Sequence, residues 1–387
     1  MPKAPFVSPL VSGLSDSVFG QLAQEARELG RTFFPLHVGD THLEPLACAR
    51  AEAQTTEQHP LLHTYAPVQG MPQLLGAILR KVKRRHGVDL SVANIQVMSG
   101  ATAGLGVVCT ALLEPGDEVL LPSPFWPLIR GIIRSRGAVP VEVPMFHRLD
   151  DSTFDPMAAL EAAVTSKTVA LYLNTPHNPT GQVIDSKPLT QLGEFAAKHN
   201  LWILSDEVYE DLAFNLKPEP LFANPGFSDR VVASHSVSKA YGLAGSRVGY
   251  THGPRAAMEA IRGVQTFYTY CAPKPLQLGA ARVLNEGDAW LADANALYAR
   301  AAKLAAEALE VPTPAAGTFL FFNAQPYLRN KETIMDFLRR CLAEGVMLTP
   351  GAACGQDFDS WARLCFSVID EDSLAQALAQ LQSVLRG

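Results

Sequence analysis

The sequence predicts an α/β fold, with a mostly parallel seven-stranded sheet covered by helices and a smaller α+β domain following it. Three observations predict this. From about residue 70 to 250, short apolar runs alternate with helical stretches, the pattern of parallel strands joined by crossover helices. Residues able to do chemistry stand where those runs end, at Ser99, Pro122, Asn174, Asp206 and Ser234. Sheets of this kind bind ligands beyond the carboxyl ends of their strands. Over the last hundred residues the rhythm changes to helices and strands of a separate, compact unit. A chain of 387 residues is long enough for one large and one smaller core. The expected division is 46–285 for the large domain and 286–387 for the small one, with segment 1–45 packing on the small domain.

In chain order, an amphipathic helix is expected from Ser17 to Leu29, closed by Gly30. An irregular stretch, Pro35 to Pro45, follows. The apolar runs Ile95–Met98, Glu118–Leu121, Val139–Val143, Val169–Leu173, Trp202–Ser205, Val231–Ala233 and Val248–Tyr250 are the expected strands. Helical stretches near 103–113, 157–164 and 188–199 lie between some of them. Beyond residue 285 the reading is a helix over Asp288–Glu310, a strand over Gly317–Phe322 and a helix over Lys331–Glu344. Strands around Val346–Leu348 and Arg363–Val368 and a final helix over Glu371–Leu385 complete it.

Composition narrows the function classes. The net charge is −6 with both signs interspersed, and no basic cluster suggests nucleic acid or anionic lipid. No run approaches the ~18 apolar residues of a membrane span. The start, Met1 to Ser8, has no apolar core of a secretion signal. Six scattered cysteines form no CxxC pair and no metal spacing, which fits reduced thiols in a cytoplasm and no metal.

Five segments carry chemistry. Ser234-His-Ser-Val-Ser-Lys239 ends a strand in hydroxyls and one lysine, and Arg247 lies eight residues further on. A lysine can form a Schiff base with an aldehyde cofactor, and serines with an arginine suit a phosphate. Taken alone, Lys239 also fits a solvated loop. Ser99-Gly-Ala-Thr-Ala-Gly-Leu-Gly106 follows a strand and opens a helix, whose free N–H groups suit a phosphate. It also fits an ordinary glycine turn. Its G-x-x-x-G-x-G spacing departs from the dinucleotide fingerprint. In Asn174-Thr-Pro-His-Asn-Pro-Thr-Gly181 a fixed turn can present the Asn178 amide. In Ser205-Asp-Glu-Val-Tyr-Glu210, Asp206 follows a buried strand, where a carboxylate needs a cation. A helix N-cap is the other reading of Asp206. In Pro122-Ser-Pro-Phe-Trp-Pro127, Trp126 could stack on a flat ring or belong to the core.

Together these segments resemble the class I/II aminotransferases, enzymes of the fold type I group that depend on pyridoxal 5′-phosphate. The order and spacing carry the resemblance: Asn178, Asp206 28 residues on, Tyr209 3 on, Lys239 30 on and Arg247 8 on. The resemblance implies that Lys239 holds the cofactor as a Schiff base and then acts as general base. Asp206 pairs with the ring nitrogen, and Asn178 and Tyr209 reach the phenolic oxygen. Trp126 stacks on the ring. Ala101, Thr102, Ser236, Ser238 and Arg247 form the phosphate cup. Tyr65, in Tyr-Ala-Pro-Val-Gln-Gly70, reaches the phosphate of a neighbouring subunit, which implies a homodimer with composite sites. Arg363 grips the substrate α-carboxylate, and Gly39 lies near the substrate. The implied partners are an amino acid and a 2-oxo acid, converted by a ping-pong mechanism.

Two segments depart from the family pattern. Gly39-Asp-Thr-His42 stands for an early G-x-P-[DN], and Pro350-Gly-Ala-Ala-Cys-Gly355 for a late P-G-x-x-F-G. Both bear on substrate identity. Dicarboxylate-specific members carry a second arginine from the neighbouring subunit, near the place that here holds Thr266 and Phe267. Arg262 is expected at the surface, and Lys274 is a weaker substitute. Phe267, Tyr268 and Tyr270 offer aromatic surface, so a donor with a neutral side chain is expected. A lyase or cyclopropane-forming synthase on the same scaffold, a non-catalytic regulator and a dinucleotide oxidoreductase are the alternatives. The regulator is disfavoured because about 30 residues precede the fold's pattern and no DNA-binding domain is expected there.

Overall fold

The computed structural model describes residues 6–11, 22, 24–26, 28, 30, 32–149 and 151–386. The helix expected over 17–29 falls largely outside the described residues. The central sheet contains β1 (Ile95–Met98), β2 (Glu118–Ser123), β3 (Val139–Pro144), β4 (Thr168–Asn174), β5 (Trp202–Asp206), β6 (Val231–Ser236) and β7 (Gly249–His252). Its spatial order is β1-β7-β6-β5-β4-β2-β3. The pairs from β6 to β3 are parallel, and β7 runs antiparallel to both β6 and β1.

Side chains alternate across a strand, so one sheet can serve two cores. Leu120, Leu171, Leu173, Ile203, Val231 and Ala233 pack into one buried cluster. Val119, Leu121, Ala170, Tyr172, Leu204 and Val232 pack into another on the opposite face. With both faces covered, these strands read as continuous apolar runs. That is why they stood out in the sequence.

Helices cover the sheet over Ala101–Leu112, Pro156–Ala163 and Ser186–Lys198, close to expectation. Helices over Pro72–His86, Pro127–Ser135, Arg255–Tyr268 and Lys274–Glu286 were not among those named. Two of these open on a proline, whose missing N–H costs nothing in a first turn.

A second sheet of three antiparallel strands follows, β8 (Phe319–Asn323), β10 (Trp361–Cys365) and β9 (Thr349–Pro350), in that order. Helices over Asp288–Leu309, Ile334–Ala343 and Glu371–Arg386 accompany it. Two strand expectations are corrected here. Residues 346–348 form no strand; Val346 makes an isolated bridge to Phe34, and the ladder begins at Thr349. The strand expected from Arg363 to Val368 starts earlier and stops at Cys365. The Cys365 N–H turns to the Leu36 carbonyl (2.7 Å), so that backbone serves the N-terminal segment. Phe34, Leu36 and His42 all exchange backbone bonds with residues 345–367. No described helix is long and apolar enough to cross a membrane.

Candidate functional site

A cavity of about 290 Å³ opens where β4, β5 and β6 end. Gly39, Ala101, Thr102, Trp126, Asn178 and Asp206 line it. So do Tyr209, Ser236, Ser238, Lys239, Arg247 and Arg363. The parallel strands explain the convergence, since their carboxyl ends all face one side.

One corner is built for an anion. The Ala101–Leu112 helix starts at Gly100 with no side-chain cap, leaving first-turn N–H groups free. Gly100 has φ +84°, and a Cβ there would lie 2.5 Å from an Arg247 guanidinium nitrogen. The arginine therefore rests on bare backbone. Ser236 Oγ donates to Ser238 Oγ at 2.7 Å and accepts from the Ser238 N–H at 3.0 Å. Hydroxyls, helix N–H groups and a guanidinium around one point suit a phosphate.

The opposite wall carries a buried carboxylate. Asp206 ends β5 and accepts a hydrogen bond from the Tyr172 hydroxyl at 2.7 Å. Burial pushes its carboxyl up to about 6, which the Tyr172 bond and the Val208 N–H only partly offset. Among the described residues no cation is paired with it. A cationic nitrogen on a flat ring would restore the ionised form. Tyr172 was not foreseen. The available signal was a tyrosine inside an aliphatic strand, where a buried hydroxyl needs an acceptor.

Between these poles lies Lys239. Its Nζ donates to the Gly39 carbonyl at 2.5 Å and stands 3.6 Å from the Asp40 carboxylate. Asn178 Nδ2 donates to the Tyr209 hydroxyl at 3.4 Å. Burial pushes the Tyr209 phenol pKa upward, so it stays a donor. Arg363 donates from Nη1 to Asn178 Oδ1 at 3.0 Å and lies over the Phe319 ring at 4.1 Å. Its buried Nε has no partner among the described residues. An unfilled guanidinium position that polar groups frame is suited to a carboxylate. These demands together, a phosphate, a flat ring with a cationic nitrogen and an α-carboxylate, fit pyridoxal 5′-phosphate with an amino acid.

A buried ionic cluster behind the site was also missed. Lys81 contacts Glu210 and Asp211 at 2.5 and 2.7 Å, and Arg85 reaches Asp211 at 3.1 Å. His235 Nδ1 meets Glu210 at 2.8 Å. The cluster ties the Pro72–His86 helix to the turn that presents Asp206 and Tyr209. Burial raises the Glu207 carboxyl to about 8, so it adds no charge near neutrality. The signal was the acid-rich run from Asp206 to Asp211 directly after a buried strand.

Several expected residues are not in this cavity. Tyr65 is 81% exposed and packs edge-on against Tyr270, with ring centroids 5.2 Å apart. Phe267 is 89% exposed. Lys274 Nζ is committed to Thr64 Oγ1 and the Leu61 carbonyl. Arg262, expected at the surface, is half-buried and donates to Gln96 and the Ala93 and Ile95 carbonyls. Cys354 is buried; its carbonyl accepts the Phe125 N–H at 2.9 Å.

Residues 31–381 match the family Aminotransferase class I and II. The chain is 30% identical to a probable aspartate/prephenate aminotransferase of Thermus aquaticus, over 83% of this chain and 84% of that one. It is 28% identical to the solved N-succinyldiaminopimelate aminotransferase of Mycobacterium tuberculosis, with a TM-score of 0.88 over 98% of this chain and 100% of that one. The solved aspartate aminotransferase of Rhizobium meliloti shares the fold, with a TM-score of 0.91, 24% identity and 99% of each chain covered.

Proposed function

Since the chain belongs to the class I and II aminotransferases and is a pyridoxal-phosphate-dependent transaminase, we propose that the cavity transfers the amino group of a donor with a neutral side chain. The single observation that carries this reading is the meeting of the Lys239 amine, the Asp206 carboxylate and the free Nε of Arg363 in one cavity. Bound pyridoxal phosphate supplies an electron sink for the pair left at the substrate Cα. Arg363 holds the α-carboxylate through Nε and its fork. Lys239 Nζ takes the Cα proton and later delivers it, acting as general base and then acid. Asp206 keeps the ring nitrogen protonated, since an adjacent negative charge favours the cation. Asn178 and Tyr209 donate to the ring oxygen. Gly100, Ala101, Thr102, Ser236, Ser238 and Arg247 fix the phosphate, and Trp126 bounds the ring.

The relatives' names specify aspartate and N-succinyldiaminopimelate, substrates with an additional carboxylate. This chain has Thr266 and Phe267 where a second cation would stand, and Lys274 and Arg262 are already bonded elsewhere. A buried second carboxylate without a cation would lose several kcal/mol. The test is a single half-reaction. Methionine, phenylalanine or leucine should each convert the cofactor stoichiometrically to pyridoxamine phosphate, with kcat/KM above that of aspartate. A clear preference for aspartate would show that a second cation has been overlooked. Regeneration of pyridoxal phosphate with turnover from one amino acid would indicate a lyase.

We also propose a homodimer. The exposed Tyr65–Tyr270 pair, with exposed Phe267 three residues before Tyr270, offers aromatic surface that a second copy would cover, with Tyr65 serving the neighbouring phosphate. Sedimentation should give a dimer at working concentration. A fully active monomer would refute the composite site.

A further inference from the structure

We propose that Tyr172 is a positioning residue, one that aims the Asp206 carboxylate and keeps the proton they share on the cofactor's ring nitrogen. The proposal deepens the reading of the cavity as a pyridoxal-phosphate site and rests on the pairing of Asp206 with that nitrogen.

Register explains how the two residues meet. β4 and β5 run parallel, with Tyr172 opposite Leu204 and Asn174 opposite Asp206. Positions two apart on a strand share a face, so these four residues belong to one side of the sheet. The Tyr172 side chain reaches one pair further along the ladder, and its hydroxyl donates to Asp206 Oδ2 at 2.7 Å. Its ring is buried in the cluster that holds Val119, Leu121, Ala170, Leu204 and Val232, all apolar. A phenol in such company needs an acceptor, and Asp206 is its hydrogen-bond partner.

Three bonds hold Asp206 in place. Tyr172 occupies Oδ2, the Val208 N–H donates to Oδ1 at 3.3 Å, and Asn174 Nδ2 donates to the main-chain carbonyl at 2.8 Å. Among the described residues, Tyr172 is the one side chain hydrogen-bonded to the carboxylate. The neighbouring titratable groups carry no charge near neutrality. Burial holds Glu207 at about 8 and Cys109 at about 12, and it pushes the Tyr209 and Tyr172 phenols upward.

The bond from Tyr172 does more than orient. Between a buried carboxylate and a pyridine nitrogen a proton has two places to sit. On the nitrogen it leaves an ion pair, and on the oxygen a neutral pair. Removal from water favours the neutral pair. Donors aimed at the carboxylate stabilise its charged form and so return the proton to the ring. A protonated ring is the stronger electron sink. A hydrogen bond to a charged group is strong enough to move such an equilibrium about tenfold to a hundredfold.

The test uses the protein loaded with pyridoxal phosphate isotope-labelled at the ring nitrogen. Tyr172→Phe removes the hydroxyl and keeps the ring that fills the cluster. The nitrogen NMR signal should move from the pyridinium position toward that of neutral pyridine. The kcat for an amino donor should fall about tenfold to a hundredfold, with KM changed far less. In an Asp206→Asn background the same substitution should leave the nitrogen signal where it is, because the phenol acts through the carboxylate. An unmoved signal in Tyr172→Phe, or equal displacements in both backgrounds, would overturn the proposal. If Tyr172→Phe does not fold, a ring-fluorinated tyrosine in place of Tyr172 keeps the phenol. Its fluorine signal should move on cofactor binding, and should not do so in Asp206→Asn. A signal indifferent to the cofactor, or one that moves equally in both backgrounds, would overturn the proposal. A wild-type protein whose bound ring nitrogen is neutral would overturn the pairing with Asp206 itself, and the role of Tyr172 with it.

Discussion

Lys239→Ala should abolish steady-state transamination and leave the folded protein intact. General acid–base catalysis contributes roughly 10²–10⁴-fold, and loss of the covalent attachment adds to that. A fall of at least about 10⁴ in kcat is therefore expected. The fold should tolerate the change because the Lys239 side chain contacts the Gly39 carbonyl and the partly exposed Asp40 carboxylate. Partly exposed ion pairs contribute about 1 kcal/mol or less. The variant should still bind pyridoxal phosphate, but borohydride should no longer fix it to the chain. A small exogenous amine should restore part of the single-turnover rate. Multiple turnovers near the wild-type rate would remove Lys239 from the chemistry.

The second large effect is expected at Asp206, in two opposite directions. Asp206→Asn should lower kcat by orders of magnitude, because a neutral amide cannot hold the ring nitrogen protonated. The same change should stabilise the cofactor-free protein. In the cofactor-free fold the carboxyl is held at about 6, above the ordinary 3.8 of the unfolded chain. The folded state thus binds more protons than the unfolded state between those values, so stability falls as pH rises through that window. The loss is complete above pH 6 and is on the order of 2–3 kcal/mol. Asparagine does not titrate, so its melting temperature should match the wild type's most closely below pH 4 and exceed it most above pH 6. Near wild-type turnover by Asp206→Asn would reduce Asp206 to a cap for the turn that follows β5.

The central strands β2, β4, β5 and β6 were legible because they are buried on both faces, which writes a largely apolar run into the sequence. The helices over Pro72–His86 and Lys274–Glu286 were harder to read. Lys81 and Gln277 are buried inside them, breaking the apolar stripe. Lys81 is accommodated by Glu210 and Asp211, which lie about 130 residues away. Local pattern cannot reveal such a distant partner. The cavity residues were legible through order and spacing, since Asn178, Asp206 and Lys239 each sit at or just beyond a strand end. Tyr172 was hidden because its role depends on cross-strand geometry: β4 and β5 lie in register, with Asn174 opposite Asp206. Asp40 was noticed only as a departure from pattern. Its nearness to Lys239 joins positions 199 apart in the chain.

The bonds between segment 34–42 and residues 345–367 have a consequence in time as well as in space. Every phosphate and ring contact proposed above, Tyr65 of a second copy included, comes from residues no later than Arg247, and those residues leave the ribosome well before β10. The carboxylate grip cannot exist until Arg363 emerges. At that point the last strand made must find a segment made among the first. A chain arrested before β8 would carry the full set of phosphate and ring residues and no means of anchoring an amino acid. Cofactor capture can therefore precede substrate recognition during biosynthesis, in the order the chain is written.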